Sequence, residues 1–216
     1  MDTKLKKVMF LLCTGALIFS ATGCVGNADP VPSISAQPTP SPSESSSPPS
    51  ATPTAKPTPT PIPGSSKGPA QNWPVPKMPD AAKEKSEAGI IAFTEHWFDV
   101  LEYMYITNDT KPLKAITSPY CETCVSTMID PADGLSKNGA WTKGGELSVE
   151  VTLAVLPGKN SAVSNIRMEQ KELLVYNKDG GYYGKLPATV KPDIGTLTMK
   201  YEDGWKVTDL QWLKTK

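Results

Sequence analysis

The sequence predicts an α+β domain over residues 81–216, and two observations support this fold class. A long proline-free segment of helical periodicity begins at residue 81, and segments of alternating apolar and polar residues, separated by turn-forming residues, follow from residue 147 onward. Helices that come first and strands that follow in hairpin succession are typical of helices packed on an antiparallel sheet. The apolar arc of the first helix is wide, which favours a curved sheet wrapped around it.

The elements are predicted in the following order. Asp80 caps a first helix that runs from Ala81 to about Asn108. Two shorter helices are expected at 110–116 and 119–128. Residues 138–145 are rich in turn-forming residues. Strict alternation and the intervening turns predict strands at 147–155, 162–176, 195–201 and 205–213, with a short additional strand within 182–189.

A basic and then apolar N-terminus predicts a signal peptide over residues 1–23. Lys4, Lys6 and Lys7 precede the run 8–19, which is almost wholly apolar. At about 1.5 Å per residue this run spans roughly 18 Å, which is short of the roughly 30 Å hydrocarbon core of a bilayer. A retained transmembrane helix is therefore not expected.

The end of this segment, SATGC at residues 20–24, resembles the lipobox of bacterial lipoproteins. The resemblance implies that Cys24 is the lipidation site and receives a diacylglyceryl group. Two acyl chains anchor a protein far more durably than one. An ordinary secretory signal cleaved nearby is the alternative. The predicted location is the extracytoplasmic face of the cell membrane.

Residues 24–80 are predicted to comprise the lipidated cysteine and a disordered linker rich in Pro, Ser and Thr. Sixteen of the 22 prolines lie between residues 25 and 80. Proline fixes φ and removes a hydrogen-bond donor, so polyproline II is favoured over helix or sheet. We expect an extended spacer that holds the folded domain clear of the bilayer.

The order of motifs in the folded part resembles the nuclear-transport-factor-two-like, or cystatin-like, α+β roll. The motifs are a long helix carrying Phe93 and Trp97, the sequence NDT at 108–110 and the sequence EDGWKV at 202–207. The chain also resembles a group of uncharacterised actinobacterial lipoproteins that combine the linker, this helix and a Cys-x-x-Cys pair. The resemblance implies a cone-shaped roll. Because this fold hosts isomerases, dehydratases, binding proteins and inert interaction domains, it assigns no function.

Cys121 and Cys124 are predicted to form a disulfide. In an exported chain two cysteines three residues apart are expected to be oxidised, and one helical turn places their Cα atoms about 5 Å apart, within the range a disulfide accepts. A redox-active pair is an alternative, but no thioredoxin-like strand precedes it. A zinc site would need further ligands, and the chain has one histidine.

His96, Asp99 and Tyr103 lie together just beyond the apolar arc of the first helix and could line a cavity mouth. A histidine oriented by a carboxylate is a plausible general base. The alternative is a histidine at the core boundary that hydrogen-bonds to Asp99 or to solvent. No paired acid and base is evident, so the sequence predicts no catalytic residues, no metal and no cofactor.

These features predict a lipid-anchored cell-surface protein with a non-catalytic binding or interaction domain. Its expected partners are the bilayer, through the acyl anchor on Cys24, and an unidentified protein or small molecule. The 22 Lys and Arg balance 22 Asp and Glu, which excludes a basic nucleic-acid binder. The alternatives are an isomerase or hydrolase near His96 and, third, a thiol redox protein at Cys121 and Cys124. A deep polar pocket would favour the enzyme, whereas a filled apolar interior would argue against it.

Overall fold

The computed structural model of the chain describes residues 59–213. The predicted signal peptide, the lipidation at Cys24 and the linker up to residue 58 lie outside the described residues. The described part is mixed α+β, as predicted. Its helical elements are a 3-10 turn Asp80–Lys83, α1 Glu87–Thr107, α2 Lys111–Ala115, and α3 Glu122–Cys124, which continues through a π turn Val125–Ile129 into α4 Asp130–Lys137. None of the helices between residues 59 and 213 combines the length and the apolar character needed to cross a bilayer.

The strands form two antiparallel sheets. They are β1 Trp141–Gly144, β2 Leu147–Gly158, β3 Ser161–Gln170, β4 Leu173–Tyr176, β5 Tyr182–Leu186, β6 Asp193–Tyr201 and β7 Trp205–Trp212. The larger sheet has the order β2-β3-β6-β7, and the smaller has the order β1-β4-β5. The chain thus leaves the larger sheet after β3, builds two strands of the smaller one, and returns at β6.

The core lies between α1 and the larger sheet. Phe93, Trp97 and Met104 of α1 are fully buried, and they belong to one hydrophobic cluster with Ile166 of β3 and Leu197 of β6. Burying each large side chain of this kind stabilises the fold by about 1.5–3 kcal/mol. The wide apolar arc predicted for this helix therefore corresponds to side chains that pack against the larger sheet.

The first helix begins later than predicted. Asp80 does not cap it, because its carboxylate accepts a hydrogen bond from Lys83 Nζ at 2.6 Å within the 3-10 turn. α1 starts at Glu87, after Ser86, whose hydroxyl accepts from the backbone N–H of Gly89 at 3.0 Å. The chain folds so closely here that a Cβ on Gly89 would collide with the carbonyl oxygen of Glu84.

The strand predicted over 162–176 is two strands, β3 and β4, in different sheets. The turn-rich segment 138–145 contains β1. β3 ends at Gln170 and β4 begins at Leu173. Between them, the Lys171 N–H donates to Glu146 O at 2.9 Å, and the Gly145 N–H donates to Glu172 O at 3.1 Å. These bonds fix a bend that the apolar pattern alone does not reveal. The third helical segment likewise extends beyond residue 128, to Lys137.

Residues 59–79, which we name the N-terminal strap, fell within the predicted linker but contact the domain. Ile62 and Gln71 form an antiparallel bridge around a turn. Trp141 Nε1 of β1 donates to the carbonyl oxygen of Ser65 at 2.6 Å. Gly64 is buried, and a Cβ there would collide with the carbonyl oxygen of Thr142. The strap is therefore part of the folded structure, although it precedes residue 81.

The two glycines of the strap allow a matched test of this contact. We expect Gly64→Ala to lower the free energy of unfolding by about 1–3 kcal/mol, because the added methyl group meets the rigid backbone of β1. Gly68→Ala is the control, since a Cβ at that position meets nothing within 4 Å. Urea denaturation followed by circular dichroism measures both. Equal effects of the two substitutions would mean that the strap is not docked on β1.

Candidate functional site

A stripe of carboxylates marks the outer face of α1. Glu95, Asp99 and Glu102 are spaced four and three residues apart, which places them on one side of the helix. Glu95 and Asp99 are exposed, and Glu102 is half-buried. At about 1.5 Å per residue, the stripe extends roughly 10.5 Å along the helix axis.

Two open clefts adjoin along this stripe. One, of about 480 Å³, lies between residues 73–77 of the strap and the α1 residues Asp99, Glu102 and Tyr103. The other, of about 290 Å³, is lined by Glu95, Phe98, Asp99 and Glu102 together with two residues of β2, Leu147 and Val149. Because Asp99 and Glu102 line both clefts, we describe the two together as the acidic groove.

Glu102 is held in place by the sheet. Its Oε2 accepts a hydrogen bond from the backbone N–H of Leu147, the first residue of β2, at 2.7 Å. The next residue, Tyr103, is buried, and its hydroxyl donates to Asp109 Oδ2 at 3.3 Å. Burial raises the pKa of the Tyr103 hydroxyl, so it stays protonated at neutral pH. Hydrogen bonds therefore hold both Glu102 and Tyr103 in place where they line the groove.

The three residues predicted at a cavity mouth are only partly brought together. Asp99 and Tyr103 line the larger cleft. His96 does not: it is 4% exposed, and its Nδ1 has no hydrogen-bond partner within the described part of the chain. The helical arc underestimates its burial, because the positions just beyond the apolar arc, His96 and Tyr103, are also covered in the folded chain. A buried imidazole is not placed to act as a general base on a ligand in the groove.

Burial of His96 predicts a pH dependence of stability. Desolvation lowers the pKa of His96 from its ordinary value of 6.5, against a smaller raising effect of the Asp99 charge. The unfolded chain therefore binds a proton more readily than the folded one. Stability is fully present above about pH 6.5 and is lost as the pH falls through the lower, folded-state pKa.

We expect the free energy of unfolding of the wild type to fall between pH 7 and pH 5 more steeply than that of His96→Phe, which fills the ring volume without a titrating group. Urea titrations at several pH values measure the two slopes. The carboxyls whose pKa values are lowered, those of Asp80 and Asp133, titrate below this range and are shared by both proteins. Parallel slopes would contradict the burial of a neutral imidazole.

The cysteine pair lies away from the groove. Cys121 and Cys124 are joined by a disulfide with Cα atoms 5.3 Å apart, and both residues are fully buried. Ser118, three residues before Cys121, donates its N–H to Val207 O of β7 at 2.7 Å, so the segment that leads into the bridge is bonded to the sheet edge. Thiol–disulfide exchange requires access to a sulfur atom. The observed burial suits a structural bridge.

No metal-binding constellation is found between residues 59 and 213. Nowhere in that range do three or more His, Cys, Asp or Glu side chains lie close enough to hold a metal ion. The carboxylates of the acidic groove thus follow one another along the helix and do not converge on a single point.

The sequence from residue 59 to residue 211 matches the model of a family of unknown function, DUF6318. The chain belongs to this family. The matched span includes the strap from its first described residue, so the strap is part of the DUF6318 domain. No curated protein sequence matches the chain.

Two solved structures are similar to the DUF6318 domain at the level of backbone. The intermembrane space region of the chloroplast protein ARC6 gives a TM-score of 0.43 at 12% sequence identity, covering 61% of this chain and 99% of that one. A domain of unknown function with a cystatin-like fold from Nostoc punctiforme gives a TM-score of 0.37 at 12% identity, covering 60% and 77%. Neither similarity assigns a ligand or an activity to the DUF6318 domain.

Sequence reasoning found one carboxylate of the groove, Asp99, and missed Glu95 and Glu102. Their spacing along α1 is readable from the sequence, since residues three and four apart share a helix face. The opposite wall of the acidic groove could not be predicted from the sequence. Residues 73–77 share the prolines of the linker, and proline does not indicate that a segment lies against a helix.

Proposed function

We propose that the protein is a lipoprotein of the extracytoplasmic cell surface, anchored through Cys24, and that its DUF6318 domain is a non-catalytic binding module. The observation that carries the non-catalytic half of this proposal is the filled interior between α1 and the larger sheet. Phe93, Trp97 and Met104 occupy that space and are fully buried. A roll that acts on a small molecule needs an open interior lined by an acid and a base, and the core side chains take up that space here.

Binding at the outer surface is supported by the acidic groove. Its larger cleft, at about 480 Å³, falls within the range typical of ligand sites, about 300–1,000 Å³. The one histidine of the chain is buried, lines neither cleft of the groove, and has a pKa lowered by desolvation. An enzyme centred on His96 is correspondingly disfavoured.

The anchoring half is supported by the lipobox-like residues 20–24 and is tested by labelling. Cells expressing the wild type are grown with an alkyne-bearing fatty acid, and membranes are then separated from the medium. We expect labelled wild-type protein in the membrane fraction and no label on Cys24→Ala protein. Wild-type protein without label, or equal labelling of Cys24→Ala, would overturn a lipid anchor at Cys24.

The binding half is tested on living cells with a photo-crosslinking amino acid. It is placed at position 75, in the groove wall, where Val75 is 49% exposed, or at position 122, an exposed control position on α3. We expect adducts from position 75 to exceed those from position 122 and to persist when His96 is replaced by Phe. The absence of adducts from both positions would contradict the binding module. Loss of the adducts on replacement of His96 would favour the enzyme.

A further inference from the structure

We propose that the acidic groove binds an extended basic segment of a protein partner, with Lys or Arg side chains lying against Glu95, Asp99 and Glu102. This inference rests on the proposed function, because it specifies the ligand of the same binding surface. Three properties of the groove support it: its excess of negative charge, the spacing of its carboxylates and the apolar character of its walls.

The charge of the groove is not balanced from within the domain. Among residues 59–213, no Lys, Arg or His nitrogen lies within 4 Å of the carboxylates of Glu95, Asp99 or Glu102. Lys77 is the one cationic residue in the lining of the two clefts. Like charges four residues apart, as at Glu95 and Asp99, destabilise a helix by a few tenths of a kcal/mol, or about 0.2–0.5. A cationic ligand would remove this repulsion, so the groove is complementary to positive charge.

The spacing of the carboxylates favours an elongated ligand. Glu95 and Asp99 are separated by roughly 6 Å along the axis of α1, and Asp99 and Glu102 by roughly 4.5 Å. Side chains of an extended peptide alternate between its two faces, so those on one face follow every second residue, about 6.7 Å apart. Two basic side chains at alternate positions can therefore each meet a carboxylate of the stripe. A single metal ion cannot do so, in keeping with the lack of any three-ligand cluster among the described residues.

The walls of the groove suit the side chains of such a segment. Trp73, Val75 and Tyr103 line the larger cleft, and Val75 is 49% exposed. Phe98 and Val149 line the smaller one. Lys and Arg bury their aliphatic stems along apolar surface while the charged end reaches a polar group, and their cations are attracted to aromatic faces. A peptide with basic and apolar residues in alternation can use the carboxylates and the walls together.

The test uses the mature chain from residue 24 and a fluorescent seven-residue peptide of alternating Lys and Val. We expect binding at low ionic strength that weakens as salt screens the charges. The triple variant Glu95→Gln, Asp99→Asn, Glu102→Gln should lose at least tenfold in affinity, and Gln at position 102 retains an acceptor for the Leu147 N–H. A peptide of alternating Glu and Val should not bind.

The matched control is the triple variant Glu122→Gln, Glu169→Gln, Asp203→Asn. These three residues are exposed, lie outside the groove and change the net charge equally. We expect less than a twofold effect; a loss as large as that of the groove variant would show attraction by net charge alone and overturn the inference. Absence of peptide binding would also overturn it. If spermine binds as tightly as the peptide and with the same dependence on the groove, the ligand is a polyamine and the peptide assignment fails.

The outcome is separable from that of the proposed function. If the groove variant leaves peptide affinity unchanged while photo-crosslinking at position 75 still yields adducts, the domain binds a partner there that is not a basic segment. If position 75 yields no adducts and the peptide still binds through the three carboxylates, the ligand class stands and the assay on cells has contradicted its role there. Circular dichroism verifies that each triple variant is folded.

Discussion

Trp97→Ala is expected to lower the free energy of unfolding by about 3–5 kcal/mol, the cost typical of removing a large aromatic side chain from a core. Trp97 is fully buried near the middle of α1, and its ring meets Phe98 edge-on, with centroids 4.9 Å apart. Its Nε1 donates to Thr117 Oγ1 at 2.9 Å, and Thr117 is itself buried. The substitution creates a cavity and also leaves a buried hydroxyl without its donor.

Trp97→Phe separates these two costs. It retains most of the ring volume and removes the hydrogen bond to Thr117, so we expect a smaller loss of about 1–3 kcal/mol. Urea denaturation of the mature chain, followed by far-ultraviolet circular dichroism, measures both variants. A small domain has a total stability of about 5–15 kcal/mol, so Trp97→Ala should lie near the limit of folding. A loss below about 1 kcal/mol for Trp97→Ala would contradict the packed interior on which the proposed function depends.

The double variant Cys121→Ala, Cys124→Ala is expected to have the second largest effect. Closing a loop of about four residues contributes roughly 2 kcal/mol by the chain-entropy estimate. Both residues are fully buried in the core cluster, so the loss of the sulfur atoms adds a packing cost, and we expect about 3 kcal/mol in total. Denaturant titration of the oxidised wild type and the variant gives the difference.

A variant of the same loop provides the control. Glu122→Ala with Thr123→Ala changes the two residues between the cysteines, of which Glu122 is exposed, and is expected to cost well under 1 kcal/mol. The native protein should also resist reduction by dithiothreitol under conditions in which the unfolded chain is reduced, because both sulfur atoms are inaccessible. Rapid reduction of the native state would instead favour the redox interpretation of the pair.

The core of the fold could be predicted from the sequence because its pattern is local. The helical spacing of Phe93, Trp97 and Met104 indicates the buried face of α1, and all three side chains are fully buried. The alternation from Leu147 through Val151 indicates β2, whose residues alternate between half-buried and exposed. Such periodicities follow from the geometry of a single helix or strand.

The boundaries were harder to predict because distant residues fix them. The bend between β3 and β4 is held by backbone bonds to Gly145 and Glu146, which are more than 20 residues away. Gly89 is required near the start of α1 because the backbone at Glu84 passes close to it. The groove combines both cases. Its carboxylates follow from helical spacing, whereas residues 73–77 form a wall only because they lie opposite a distant segment of the chain, α1.

The position of the N-terminal strap determines how mechanical tension would reach the domain. In a chain anchored at Cys24, a pulling force enters the described part at residue 59 and acts first on the Ile62–Gln71 bridge and the Trp141–Ser65 hydrogen bond. These few contacts would separate one after another, whereas the larger sheet and α1 resist together. Release of residues 59–79 would lengthen the chain by roughly 70 Å at full extension. It would also remove one wall of the groove, so tension and ligand binding would oppose each other.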